Sequence, residues 1–190
     1  MLLVSSCVVC GAIGPGICRA CVGLLDPSLR WRADGPIDGW TSLFAYEGAG
    51  RRVVTRLKYA NHRDALDQLV GALSGLTAGL GIDAVTWVPT SAQRRRRRGF
   101  DQAELLARGV ARTNALECCR LLRRAPGGSQ TGHDRVTRAR VGFESVAGVV
   151  GTVLVIDDVR TTGASLRAAA AAVRSGGAEH VLAVTVADRR

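Results

Sequence analysis

The chain has almost no lysine: of its 26 lysines and arginines, Lys58 alone is a lysine. Aromatic residues make up only 4%, so valine, leucine and alanine must fill any core, and hydrophobic residues at 47% suffice for one. No apolar run approaches the roughly 20 residues that cross a bilayer, which argues against membrane insertion. Met1–Val4 is too short for a secretion signal and carries no basic residue, so a cytoplasmic location is expected. Histidines are few, and His62, His133 and His180 share no metal or triad spacing, which leaves them as surface residues. Negative charge is also scarce: 16 acids leave a formal charge of +10 and a pI near 10.5. Such a surface favours anionic partners, namely phosphorylated metabolites, nucleic acid or acidic membranes. Abundant Arg, Ala and Gly also fit a GC-rich genome, so charge alone assigns no function.

A length of 190 residues suits one domain of ordinary size with a small appendage. The first segment carries Cys7-x-x-Cys10 and Cys18-x-x-Cys21, with Gly11, Gly14, Pro15 and Gly16 between the two knuckles. Four thiolates at this spacing can close a tetrahedral Zn²⁺ site that leaves no position for water. Disulfides are the alternative, and the lack of a secretion signal counts against them.

From Leu24 to Asp38 the composition reads as a connector, followed by a strand over Trp40–Tyr46 and a turn at Gly48–Gly50. Helical spacing then covers Arg51–Tyr59 and about Arg63–Leu80. Glycines 71, 75 and 79 suggest a helix face in close contact with a neighbour. Ala84–Val88 is a compact strand, and a helix begins near Asp101 with acids in its first turn. Between them lies Arg94–Arg98. Five consecutive arginines read either as a solvated or nucleic-acid-binding patch, or as pyrophosphate ligands at the C-terminal edge of a parallel sheet. Cys118–Leu122 reads as one strand in which the two cysteines face opposite ways. A flexible loop over Arg123–Gln130 follows, then a short basic helix over His133–Arg140 and strand character at Phe143–Val146. The chain closes with a helix ending at Gly176-Gly177 and a last strand over Val181–Val186.

The most informative stretch is Val153–Ser165. An apolar strand leads to adjacent carboxylates, Asp157 and Asp158, then to Thr161, Thr162, Gly163, Ala164 and Ser165 and an alanine-rich helix. A small-residue turn at a helix N-terminus presents backbone N–H groups and positive potential to phosphate. Carboxylates would repel a bare phosphate but can accept hydrogen bonds from two neighbouring ribose hydroxyls. The pattern therefore describes a ribose 5-phosphate site. An ordinary strand-to-helix turn could use Thr161 or Thr162 as a cap, but it needs neither the acid pair nor the whole loop.

These thirteen residues resemble the phosphoribosyl-pyrophosphate motif of type I phosphoribosyltransferases. The wider chain resembles the ComF/GntX-like, competence-associated branch of that family. The resemblance rests on the four-cysteine knuckle, Leu57-Lys58-Tyr59, Val88-Pro-Thr-Ser91, Arg98-Gly-Phe-Asp-Gln102 and an Arg…Gln…Arg segment matched by Arg123 or Arg124, Gln130 and Arg140. It departs from the family at Asp101 and Val141, where asparagine is usual, and in the glycines before Gln130.

The resemblance implies an α/β fold with a five-stranded, parallel-centred sheet, helices on both faces, and a hood near an N-terminal zinc knuckle. Residues 1–38 would be knuckle and connector, and 39–190 the phosphoribosyltransferase-like domain. It further implies Mg²⁺-dependent binding of phosphoribosyl pyrophosphate and transfer to an acceptor. Asp157 and Asp158 would be catalytic, and Thr161–Ser165 would hold the 5-phosphate. Thr90, Ser91 and Arg98 would hold pyrophosphate with Lys58 as a further contact, and Arg124, Gln130 and Arg140 would belong to a flexible loop. The alternative it implies is a non-turnover module of DNA uptake, with single-stranded DNA or an uptake helicase as partner.

Overall fold

Val153–Ile156 is fully buried on both sides, as an uninterrupted apolar run in a parallel sheet should be. The computed structural model describes residues 5–57, 63–125 and 142–189. In chain order its elements are α1 (Arg19–Val22), β1 (Arg32–Asp34), β2 (Ile37–Ala45), α2 (Gly48–Leu57), α3 (Arg63–Thr77) and β3 (Ala84–Trp87). There follow α4 (Ala92–Arg98), α5 (Gln102–Thr113), β4 (Glu117–Cys118), β5 (Leu122–Arg124) and β6 (Phe143–Ser145). The last three are β7 (Thr152–Arg160), α6 (Ala164–Ser175) and β8 (His180–Asp188).

The main sheet has six strands in the order β1-β2-β8-β7-β3-β4. β2, β8, β7, β3 and β4 are mutually parallel and only β1 runs antiparallel. The expected five-stranded parallel arrangement is present, with one antiparallel strand added at its edge. β7 pairs with β3 on one side, Val85 opposite Leu154, and with β8 on the other, Ile156 opposite Val184. Alternation along β7 divides its side chains between two cores. Leu154 and Ile156 pack with Val53, Leu69, Leu73 and Leu106 of α2, α3 and α5. Val153 and Val155 pack with Leu166, Ala169, Ala170 and Val173 of α6.

Several sequence expectations change. The region expected to be a connector contains β1 and the start of β2, joined at Gly35 in a tight hairpin. Cys118–Leu122 is not one strand: β4 joins the main sheet, whereas β5 pairs antiparallel with β6 in a separate ribbon. The two cysteines do face opposite cores. Gly71 and Gly75 lie on the exposed side of α3 with nothing near them, so they make no close helix contact. The close approach between α3 and α5 is instead at Gly109, where a Cβ would sit 2.5 Å from Val70. Lys58, Gln130, Arg140, His62, His133 and the expected helix over 133–140 lie outside the described residues. Among the described residues no helix is long and apolar enough to cross a membrane.

The N-terminal knuckle is packed into the first core: Cys7, Val8, Val9, Ile17 and Cys21 are all buried there. Gln68 of α3 clamps it, accepting from the Ile17 N–H at 2.6 Å and donating to the Ile17 carbonyl at 3.2 Å. Gly16 lies so close to α3 that a Cβ would stand 2.0 Å from the Ala65 nitrogen. Gly16→Ala should therefore cost about 1–3 kcal/mol of stability. Gly71→Ala, on the open face of the same helix, should be neutral or stabilise by up to about 1 kcal/mol. Urea unfolding of both variants checks the pair.

Candidate functional site

The C-terminal ends of β3 and β7 open onto a cavity of about 310 Å³, at the lower end of the usual range for small-molecule sites. Asp157 and Asp158 reach it from β7, and Thr161 and Ser165 from the turn into α6. Val88, Pro89 and Thr90 reach it from the end of β3, and Arg124 from β5. Arg94 and Arg98 complete the arginine side.

The arginine run is helical, which explains its selectivity. Ser91 caps α4, its Oγ accepting from the Arg94 N–H at 3.3 Å. Residues four apart on a helix share a face, so Arg94 and Arg98 line the cavity together. Arg95 turns aside to Glu104, 3.6 Å away. One face of the run therefore lines the cavity, while Arg96 and Arg97 are exposed to solvent.

Asp101 has a structural role that its replacement of asparagine did not suggest. Its Oδ2 accepts the Thr90 N–H at 2.8 Å and its Oδ1 accepts the Ala103 N–H at 3.2 Å. It thereby caps α5 and fixes the Thr90 loop to that helix. Burial pushes its carboxyl above the usual range, against the lowering effect of those N–H bonds. The neighbouring Gln102 is buried at the cavity, and its Oε1 has no hydrogen-bond partner among the described residues. Arg124, expected in a flexible loop, is the last residue of β5. Its Nε donates to the Pro89 carbonyl at 3.1 Å and its guanidinium lies 5.4 Å from the Phe143 ring.

Of residues Thr161–Ser165, only Thr161 and Ser165 line the cavity. The Thr162 Oγ1 accepts from the Ala164 N–H, and the Thr162 carbonyl accepts from Arg167 at 3.0 Å. Gly163 has φ +74°, and a Cβ there would lie 2.8 Å from Arg167 Nη1 and 3.0 Å from Arg160. The loop is thus held from behind. Arg160 and Arg167 both pair with Asp34 of β1, each at 2.9 Å, and Arg160 also pairs with buried Asp188 at 3.2 Å. The Arg160 guanidinium stacks 4.0 Å over Trp40, a favourable cation–π placement. Tyr46 and Gln102 also line the cavity. Gln102 was visible in the Arg98–Gln102 motif without a role, whereas nothing in the sequence marked Tyr46 or Asp34, whose positions depend on strand pairing.

The second cluster lies apart from the cavity. The Sγ atoms of Cys7, Cys10, Cys18 and Cys21 are all within 4.8 Å of one another, and those of Cys10 and Cys18 are 3.8 Å apart. Thiolates about 2.3 Å from a tetrahedral ion have sulfur–sulfur edges of about 3.8 Å, so the cluster could hold such a metal. The Val9 and Cys18 N–H groups donate to the Cys7 sulfur, each at 3.4 Å. Burial would raise the Cys7 thiol, but backbone N–H bonds from Cys18, Cys10 and Val9 bring it down to about 6. Burial and hydrogen bonds from the other three cysteines push Cys21 up to about 12.

No protein-family model matches the chain, and no curated protein does either. Among solved structures, it is similar to a glutamine phosphoribosylpyrophosphate amidotransferase from B. subtilis complexed with ADP and GMP, at 20% identity and a TM-score of 0.47. That match covers 69% of this chain and 30% of the other. A structure described as the allosteric regulatory enzyme of purine biosynthesis is similar at 19% identity and a TM-score of 0.46, covering 70% and 30%. Orotate phosphoribosyltransferase from Aeropyrum pernix is similar at 21% identity and 0.43, covering 73% and 64%. This chain thus spans less than a third of the length of the first two. At such scores no residue's role passes from those proteins to this one.

Burial alone would raise the Asp34 carboxyl, but hydrogen bonds and charge from Arg160 and Arg167 hold it below its ordinary value of 3.8. A carboxyl lowered in this way contributes stability above its unfolded pKa and loses it as pH falls through the folded one. Asp34→Asn should cost roughly 1.5–3 kcal/mol near neutrality. Its deficit should shrink as pH falls below about 4. Denaturant titrations of both proteins across that range provide the check.

Proposed function

We propose that this chain is a phosphoribosyltransferase-like protein of the ComF/GntX type that binds phosphoribosyl pyrophosphate with Mg²⁺ and transfers its phosphoribosyl group. The observation that carries this reading is the convergence on one cavity of an acid pair, a hydroxyl-bearing loop at a helix N-terminus, and three arginines. Thr161, Ser165 and the backbone N–H groups of the loop hold the 5-phosphate. Asp157 and Asp158 accept from the ribose hydroxyls. Arg94 and Arg98 take the pyrophosphate, with Thr90 beside them and Ser91 acting through the α4 cap. Arg124 borders the same end, and Gln102 offers an acceptor for a donor on the ligand. Roles for Lys58, Gln130 and Arg140 rest on the sequence resemblance alone.

Mg²⁺ is commonly bound by one or two carboxylates, with water and phosphate oxygens completing its shell. The adjacent carboxylates of Asp157 and Asp158 suit that donor set, and the ion would neutralise charge on the departing pyrophosphate. In the transfer, the bond from the anomeric carbon to pyrophosphate oxygen breaks, and its electron pair leaves with pyrophosphate. The acceptor's lone pair forms the new bond to that carbon, and an N–H acceptor then gives up one proton. The arginines stabilise the charge gathering on the leaving group, and the acids face the cationic sugar. The four cysteines would hold a structural Zn²⁺ with no open position, which would close the knuckle on itself and take no part in transfer.

Calorimetry with phosphoribosyl pyrophosphate and Mg²⁺ should show binding. Asp157→Asn and Asp158→Asn should each weaken it by roughly 10- to 100-fold. No heat and no thermal shift with the unchanged protein would remove the assignment.

Elemental analysis should find one zinc per chain. Chelation should lower the unfolding midpoint, and a fully folded, metal-free protein with an unaltered midpoint would contradict the structural role.

The exposed Arg96 beside Arg95 favours a second reading, a DNA-uptake module that keeps the fold without turnover. It calls for single-stranded DNA affinity that falls steeply with salt and disappears when Arg95–Arg97 become serine.

A further inference from the structure

The cavity does not end at Tyr46. The same residue lines a second cavity of about 580 Å³, walled by Glu47, Gly48, Arg51 and Arg189. Tyr46 thus borders both cavities, which places the second beside the first at the ends of β2 and β8. The second is the larger and lies within the usual range for a small-molecule site.

Its walls are fixed by strand ends. The Tyr46 N–H donates to the Asp188 carbonyl at 2.7 Å, and the Arg189 N–H donates to the Arg160 carbonyl at 2.9 Å. Arg189 is therefore anchored beside the end of β7, the strand that carries Asp157 and Asp158. Arg51 comes from the start of α2, with its N–H donating to the Glu47 carbonyl at 3.1 Å.

The charge pattern here is unusual for a helix start. The first turn of α2 contains no acid, and Arg51 and Arg52 follow Gly48-Ala49-Gly50. Cations near a helix N-terminus oppose the helix dipole, whereas anions are favoured there. Arg160, Arg167 and Arg174 are each paired with an aspartate. Arg51 and Arg189 have no ion-pair partner among the described residues. An anion in this cavity would offset the charge of the two arginines that line it and the opposition of the dipole to Arg51.

We infer that the second cavity is the acceptor subsite and that it selects an acceptor bearing an anionic group, carboxylate or phosphate, held by Arg51 and Arg189. This rests on the phosphoribosyltransferase reading. An anionic acceptor needs cations of its own, because Asp157 and Asp158 repel it and Arg94 and Arg98 are engaged by pyrophosphate. Arginine forks recognise both oxyanions. Glu47, the one acid on these walls, accepts from an N–H on the same molecule and repels a second negative group.

The test uses aromatic amines matched except for charge: 4-aminobenzoate against 4-aminobenzamide, and 4-aminophenyl phosphate against 4-aminophenol. Each is titrated into the full chain by ligand-observed NMR, with and without phosphoribosyl pyrophosphate and Mg²⁺. At least one charged probe should bind about five- to tenfold more tightly than its neutral partner. The pair that shows the preference distinguishes carboxylate from phosphate. The double variant Arg51→Gln/Arg189→Gln should lose the preference, with circular dichroism confirming that it folds. Equal binding within both pairs, or a preference kept by the double variant, overturns the proposal. Failure of phosphoribosyl pyrophosphate itself to bind counts against the underlying reading instead, and the probe-only titrations still report whether the arginines select charge.

Discussion

Everything at the sheet edge depends on the pairing of β7 between β3 and β8. Parallel pairing brings the ends of all three strands to one side, and their register decides which residues meet there. With Trp87 opposite Ile156, the Pro89–Thr90 turn follows the end of β3 beside the stretch of β7 that carries Asp157 and Asp158 and stays paired with β8. A shift of one residue would exchange the two core faces of β7 and send its acids to the wrong sides. The complete burial of Val153–Ile156 makes that shift costly. Core packing therefore positions polar groups that take no part in it.

Three arginines in this chain hold elements together through carboxylates. Arg160, Arg167 and Arg174 face Asp34 or Asp38 and bind the β1–β2 hairpin to β7 and α6. Arg160 and Arg167 also close around the back of Gly163 and the Thr162 carbonyl, which gives the Thr161–Ser165 loop its shape. These groups are partly shielded from water, so their pairing is screened less than a surface contact. Arg94 and Arg98 line the cavity together with Asp157 and Asp158. The side facing α6 is thus held by ion pairs, while the cavity gathers groups of both signs.

The knuckle reaches the same framework by a different route. Gly16 and Gln68 dock it on α3, and α3 in turn packs on α5, whose Asp101 cap holds the Thr90 loop. The cysteine cluster and the cavity are consequently joined through two packed helices without sharing a residue.

Much of the site could be read in the chain because its chemistry is local. An apolar strand, two acids, a loop of small hydroxylic residues and a helix follow one another within Val153–Ser165, and four cysteines within Cys7–Cys21. Neither pattern needs a distant partner to be recognised. The arginine run was legible as charge but not as orientation, since only the helical turn in α4 separates Arg94 and Arg98 from their neighbours. Asp34, Tyr46, Arg51 and Arg189 could not be found in this way, because strand order and helix packing bring them to the edge from opposite ends of the chain. By itself the sequence determined that an acid pair precedes a small hydroxylic loop and that four cysteines lie close together, for those depend on short-range spacing. Only the tertiary structure decided that Asp34 takes up Arg160 and Arg167 and that Asp38 takes up Arg174, because those pairs join residues more than a hundred positions apart.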